Sequence, residues 1–182
     1  MNERAYYGHE SQLFGVEEYR LTGGKGDDMR LLQVRNGKGL DFTVSADRCA
    51  DISRLHFRGE NCGFFSANGY VAPAYYDDKE AGWLKNFTAG FLTTCGLTHM
   101  GAPCSEGGRE YGMHGRINNT PAEQYGVSLD QGPDGMRAAA SGLMRQGVLF
   151  GEHLTLRRQL ILDSGKRSFS FTDTVTNHGF AR

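Results

Sequence analysis

The sequence predicts an all-β fold: two sheets packed face to face, with residues 1–182 forming one domain or one part of a larger one. Three observations carry this. Short segments alternate apolar and polar side chains with a period of two, the spacing of a strand, because successive side chains leave opposite faces. The chain holds 26 glycines against 4 prolines, scattered between those segments as tight turns require. Stretches with helical character are few.

Taken in chain order, "MRLLQVRNGKGLDFTV" joins two alternating runs across Asn36-Gly37, a strong hairpin signal. Within it, "LDFTVSA" puts Leu40, Phe42 and Val44 on one face. "DDKEAGWLKNFTAGFLTTCG" has room for one short helix near Asp77 to Phe87. "DGMRAAASGLMR" carries helix-forming alanines, but Gly135 and Gly142 interrupt it, so strand and helix stay open there. "HLTLRRQLIL" places Leu154, Leu156, Leu160 and Leu162 against Thr155, Arg157 and Gln159. "RSFSFTDTV" sets Phe169, Phe171 and Val175 against Ser168, Ser170, Thr172 and Thr174. That last run passes straight into a turn with no closing element. A strong strand ending so asks for further chain beside it, and the sequence reads as part of a longer protein.

Composition narrows the function. Hydrophobic residues make up 38%, with 11 Phe and 8 Tyr, enough for a core. Twenty basic against 21 acidic side chains leave a net charge of -1. That balance argues against a nucleic-acid or anionic-membrane binder, both of which need a concentrated basic surface. No run of about 18 apolar residues occurs, so no membrane-spanning helix is expected. "MNERAYYGHE" lacks the basic start and apolar run of a signal peptide. With no Cys-x-x-Cys among Cys49, Cys62, Cys95 and Cys104, reduced thiols in a cytoplasm are the expectation.

The densest chemistry lies in "CGLTHMGAPCSEGGREYGMHGRINNTPAEQ", Cys95 to Gln124. Cys95, His99, Cys104 and His114 allow a tetrahedral zinc site to be drawn, but the spacing matches no common finger or ribbon, and sulfurs of this kind more often fill a core. Neither a metal nor a cofactor is expected. A metal-dependent sugar isomerase using His99, Glu106 and His114 is kept as a third reading. "GGKGDD" and "SEGGRE" are glycine-rich, but neither follows a strand and opens a helix, so no phosphate cradle is expected. Ser105 lacks the Gly-x-Ser-x-Gly elbow.

A polar pocket remains. On an extended segment His114, Arg116 and Asn118 share a face, and imidazole, guanidinium and carboxamide suit hydroxyls and ring oxygens. The bland alternative is a structural histidine beside a surface arginine. Trp83, the one tryptophan, serves either as a platform under a sugar ring or as core. Arg48 and Asp51 suit a buried pair that orients the pocket. His99 either binds ligand or caps a strand end.

Three blocks then resemble a known group: "DFTVSADRCADISRLHFRG", "GWLKNFTAGFLTTCGLTHMGAPC" and "YGMHGRINNTPAEQ". In this order they are similar to the aldose 1-epimerase (galactose mutarotase-like) superfamily, and more narrowly to its DUF4432 branch. That branch usually has glycine where this chain has Cys49, before Ala50-Asp51-Ile52. The resemblance runs from about Leu40 onward. It implies a β-supersandwich, present here as its N-terminal half, and interconversion of sugar anomers. In such enzymes a carboxylate takes the anomeric proton and a histidine protonates the ring oxygen; the ring opens, turns and recloses. By resemblance His114 is the catalytic-pocket histidine; Arg48, Trp83, His99, Arg116 and Asn118, chosen for their own chemistry, are the candidates for sugar binding. The superfamily's acid histidine and catalytic glutamate are expected later than Arg182; His178 in "TNHGF" resembles a mutarotase-like Asn-His pair and is the alternative acid, with the turn after the last strand the preferred reading. The expected partner is a small-molecule sugar, together with a missing C-terminal half or a second copy. The runner-up is a non-catalytic carbohydrate-binding protein on the same fold.

Overall fold

The computed structural model describes residues 6–133 and 135–179. Among the described residues thirteen strands run in order: β1 Gly15–Arg20, β2 Arg30–Arg35, β3 Leu40–Ser45, β4 Asp51–Phe57, β5 Glu60–Asn61, β6 Phe64–Phe65, β7 Ala89–Gly90, β8 Cys104–Glu106, β9 Arg109–Tyr111, β10 Glu123–Gly132, β11 Gly135–Gly147, β12 His153–Asp163 and β13 Phe169–Asn177. One sheet has the order β1-β2-β3-β4-β5 and the other β10-β11-β12-β13. Every pairing is antiparallel, so short hairpins suffice to connect neighbours. Two small ribbons, β6 with β7 and β8 with β9, lie in the long connection between the sheets.

The alternation does what its period demands. Leu40, Phe42 and Val44 of β3 and Leu156, Leu160 and Leu162 of β12 enter one core with Leu32, Val34, Ile52, Ile117 and Met144. Phe42 and Phe169 meet across it at 5.0 Å between ring centres. The β2–β3 hairpin turns at Asn36, whose buried Oδ1 accepts from the backbone N–H of Lys38 (2.8 Å) and Leu40 (2.9 Å).

The structure corrects the short helix expected near Asp77 to Phe87. Only a 3₁₀ turn forms there, Gly82–Lys85, and no α-helix occurs among the described residues. Asp77 Oδ1 accepts from the Lys79 N–H (3.1 Å), and Glu80 is left-handed at φ 47°. Local bonds of this kind compete with a helix and win in a segment already interrupted by glycine. In the ambiguous alanine stretch, strand prevails: β11 is paired along both edges, and those ladders override the helix preference of Ala138, Ala139 and Ala140.

At the β11–β12 end, Arg137 grips Asp163 with two bonds, Nε to Oδ1 at 2.7 Å and Nη2 to Oδ2 at 3.0 Å, and Lys166 Nζ adds a third at 3.3 Å. The Arg137 hydrogen bonds, helped by Lys166 and opposed by burial, pull the Asp163 pKa down to about 2. A carboxylate depressed below its unfolded value of 3.8 stabilises the fold above that pH and loses the contribution as pH falls through the folded value. An Asp163→Asn variant should therefore be less stable than the parent at neutral pH. The gap should close between about pH 4 and pH 2; denaturant unfolding across that range measures it, and a constant gap contradicts the assignment.

β13 forms the outer edge of its sheet. Its register pairs Phe171 with Leu160 and Val175 with Leu156, so both side chains point to the core side. Yet they stay 36% and 52% exposed while their neighbours on β12 are buried. No helix among the described residues is long and apolar enough to cross a membrane.

Candidate functional site

His114 sits in a loop clamped on both flanks. Its N–H donates to Gly101 O (3.0 Å) and its carbonyl accepts from the Gly96 N–H (3.0 Å). On the other side the Met113 N–H donates to Glu80 O (3.0 Å), and the Tyr76 hydroxyl donates to Gly115 O (3.3 Å). The backbone turns through two left-handed residues, His114 at φ 57° and Gly115 at φ 69°. A Cβ on Gly115 would stand 2.8 Å from Gly96 O and 2.9 Å from His99 O. Only glycine fits that approach, which gives the His-Gly pair a physical basis.

The imidazole is oriented in turn. Gly101 N–H donates to its Nδ1 at 3.2 Å, and the ring meets Trp83 edge-on at 4.7 Å. A backbone N–H can only donate, so Nδ1 is the acceptor and the neutral ring carries its proton on Nε2. That Nε2–H makes no hydrogen bond among the described residues. The loop thus presents one pre-oriented donor.

The companions expected beside it go elsewhere. The segment after Gly115 is not extended: Arg116 has right-handed geometry and opens a 3₁₀ turn, Ile117–Asn119. The two-residue periodicity that grouped His114, Arg116 and Asn118 therefore does not apply. Arg116 reaches Gly147 O (2.9 Å) and approaches Glu152 (3.6 Å), which Arg109 holds more tightly at 2.8 Å. The Arg109 bond, working against partial burial, lowers the Glu152 pKa. Asn118 turns inward and accepts from Trp83 Nε1 at 3.1 Å. Trp83 is 5% exposed, with its face stacked on Phe87 at 4.3 Å. The ring is core packing, with no open face for a sugar.

A second centre lies between the sheets. Arg158, on β12, uses all five of its N–H groups. Nε and Nη2 donate to the Asp173 carboxylate on β13 at 2.9 and 2.8 Å. Nη1 donates to Asp51 Oδ1 on β4 (2.7 Å) and to Cys49 O (3.0 Å), and Nη2 also reaches Thr94 Oγ1 (2.7 Å). Thr94 then donates its hydroxyl to Asp51 Oδ1 (2.5 Å) and its N–H to Oδ2 (2.9 Å). Burial opposes the Arg158 charge, but the Asp173 bonds and the Asp51 charge outweigh it and raise its pKa. Burial, the strongest influence on Asp51, raises that carboxyl against the pull of Arg158 and Thr94. Every hydrogen-bond partner of Asp51 here is a donor, which is the pattern of an ionised carboxylate.

Arg48 is close to this centre but does not share it. The expected Arg48–Asp51 pair is replaced by Arg158–Asp51, because Arg158 comes from the facing sheet with a fork that fits. Arg48 is 4% exposed and donates to Val71 O at 3.0 Å. Burial lowers its pKa to about 10, with Asp51 opposing. It borders a cavity of about 10 Å³, far too small for a sugar ring. His99 lies on the loop side, with Nε2 2.8 Å from Ala102 O and Nδ1 3.8 Å from Cys104 Sγ. The zinc quartet, and the trio His99, Glu106 and His114, do not converge: among the described residues no three His, Cys, Asp or Glu side chains stand together as metal ligands. His178 follows β13 in the turn, its Nε2 2.9 Å from Thr155 Oγ1; Phe180 to Arg182 lie outside the described residues. A larger cavity of about 670 Å³ opens at one end of the sandwich among His9, Glu10, Asn36, Lys38, Met136 and Ser164, and none of the expected site residues lines it.

The sequence pattern of the domain of unknown function DUF4432 matches residues 26–182. This chain belongs to the DUF4432 family. Two solved structures resemble this DUF4432 chain. One, from Klebsiella pneumoniae subsp. pneumoniae MGH 78578 and named, provisionally, as an aldose 1-epimerase, is 26% identical with a TM-score of 0.82; the likeness covers 93% of this chain and 46% of that one. The other, galactose 1-epimerase from Lactobacillus acidophilus NCFM, is 14% identical with a TM-score of 0.48, covering 83% and 45%, and bears no weight here. No curated protein matches the DUF4432 chain in sequence. It spans about half the length of the solved structures it matches. Its all-β sandwich is of the galactose mutarotase-like kind.

Sequence reasoning missed Arg158 and Asp173 as a centre. The signal was present: in "HLTLRRQLIL" Arg158 falls on the leucine side, and in "RSFSFTDTV" Asp173 falls on the phenylalanine side. Two charges of opposite sign in two inward rows are a pair waiting for a register.

Proposed function

We propose that this chain forms the sugar-facing part of an aldose 1-epimerase-like, mutarotase-like protein, with the His114 Nε2–H donating to an oxygen of the bound sugar. The observation that carries this reading is the pre-oriented imidazole: its Nδ1 is occupied by the Gly101 N–H and its other nitrogen makes no hydrogen bond among the described residues, in a chain whose overall fold resembles a structure named as an aldose 1-epimerase. A group held this way needs no reorientation to meet a ring or anomeric oxygen. His114 then acts in the acid–base opening of the ring, and a carboxylate removes the anomeric proton.

A second reading, a carbohydrate-binding protein without turnover, is favoured by one fact. Among the described residues no carboxylate bonds His114, so no acid–base pair is assembled around it. On the first reading the base arrives with added polypeptide, either further chain or a second copy. The free edge of β13, with Phe171 and Val175 exposed, is where such a strand joins. The four free thiols suit a cytoplasmic setting.

Saturation-transfer NMR on D-galactose and D-glucose tests both readings. Binding should be seen, and His114→Ala should weaken it by about 1–2 kcal/mol, the worth of a hydrogen bond to a positioned donor. Anomer exchange above the buffer rate supports the epimerase, and binding without exchange supports the second reading. No binding of either sugar, or binding indifferent to His114→Ala, removes His114 from the role.

A further inference from the structure

The loop beside His114 carries a second arrangement that the sugar reading does not use. His99 Nε2 lies 2.8 Å from Ala102 O. A carbonyl can only accept, so Nε2 holds the proton and Nδ1 is left as the basic nitrogen. That Nδ1 is 3.8 Å from Cys104 Sγ, within sulfur hydrogen-bond range. Thiol, imidazole and orienting carbonyl thus stand in line, the relation by which a nucleophile is activated by a base that a third group holds in place.

The setting supports the relation. Cys104 opens β8 and is exposed; it pairs across the ribbon with Tyr111 of β9, whose ring lies 5.6 Å from the His99 ring. Arg109 stacks over Tyr111 at 4.9 Å, with its charge taken up by Glu152 at 2.8 Å. The other three cysteines lack these features, and Cys95 is half-buried with no histidine bonded to its thiol among the described residues. Cys62 is exposed but touches only the Glu60 carbonyl at 3.5 Å. Cys49 is fully buried, and burial pushes its thiol pKa up.

We infer that Cys104 and His99 form a reactive thiol site that takes a low-molecular-weight disulfide. His99 Nδ1 removes the thiol proton. The sulfur attacks one sulfur of the disulfide, a new S–S bond forms as the old one breaks, and the departing thiolate takes the proton back from His99. One disulfide is exchanged for another, with no outside oxidant.

Oxidised glutathione is the probe, with peptide-resolved mass spectrometry at pH 7 as the readout. Cys104 should be modified at least about threefold faster than Cys62, its exposed counterpart in the same molecule. His99→Ala should bring Cys104 down to the Cys62 rate and leave Cys62 unchanged, with Cys49 still unmodified as the sign of an intact fold. Equal rates at Cys104 and Cys62 in the parent protein, or a Cys104 rate indifferent to His99→Ala, overturn the site. Should His99→Ala open the fold and expose Cys49, the ratio in the parent protein decides alone.

Discussion

An Arg158→Met variant should lose about 3–5 kcal/mol of stability, measured by denaturant unfolding at neutral pH. The reason is what the substitution strands rather than what it removes. Arg158 is buried with all five donors satisfied, and Asp51 on the facing sheet is 6% exposed. Without the guanidinium, Asp51 keeps only Thr94 as a donor in a place that water does not reach. Asp173 suffers less, because its side chain is 26% exposed and water can replace the arginine. Adding Asp51→Asn to Arg158→Met should therefore recover part of the loss, since it removes the stranded charge. The pH dependence has a definite sign. A buried carboxyl whose pKa is raised binds a proton more readily folded than unfolded, so the deficit of the single variant should shrink as pH falls. A loss below about 1 kcal/mol, or no recovery in the double variant, shows that the two sheets are not joined through this pair.

Gly115→Ala should cost about 2–4 kcal/mol and disturb the His114 loop first. An L residue at φ 69° is strained, and the added methyl would meet two backbone oxygens inside 3 Å, Gly96 O and His99 O. Neither oxygen can swing aside like a flexible side chain. The loop must open, and the Gly101 bond that fixes the imidazole tautomer opens with it. Two-dimensional NMR of the His114 ring, alongside an unfolding curve, should show a shifted ring environment and a lower midpoint. An unchanged ring signal with full stability would mean that the approach of those carbonyls is not required.

How far the sequence could be read depends on what each inference rested on. The sheets were legible because Leu40, Phe42 and Val44, or Leu156, Leu160 and Leu162, repeat with the strand period and enter the core, although Thr43, Ser45 and Thr155 on the opposite faces are buried as well. The segment at Asp77 to Phe87 was misread because a single Asx-type bond and one left-handed Glu80 outweigh a weak helical preference, and neither shows as periodicity. His114 could be singled out by its motif, but its companions could not. Grouping Arg116 and Asn118 with it assumed an extended backbone, and a left-handed pair followed by a 3₁₀ turn sends them apart. Trp83 and Arg48 were chosen for their chemistry, and their burial was set by distant chain: Phe87 stacks on one, and Val71 accepts from the other. Cys104 and His99 pair through a loop geometry that their spacing alone does not encode.

The salt link between the sheets also fixes how the last two long strands line up. Arg158 stands opposite Asp173 in the β12–β13 ladder. Sliding β13 by a single residue would swing the aspartate to the outer surface and bring a threonine, Thr172 or Thr174, opposite the guanidinium. The apolar row of β13 is too exposed to forbid that slide by itself. A charge that tolerates no misplaced neighbour does the proofreading instead, and it places the open edge of the sandwich in one alignment before anything comes to sit against it.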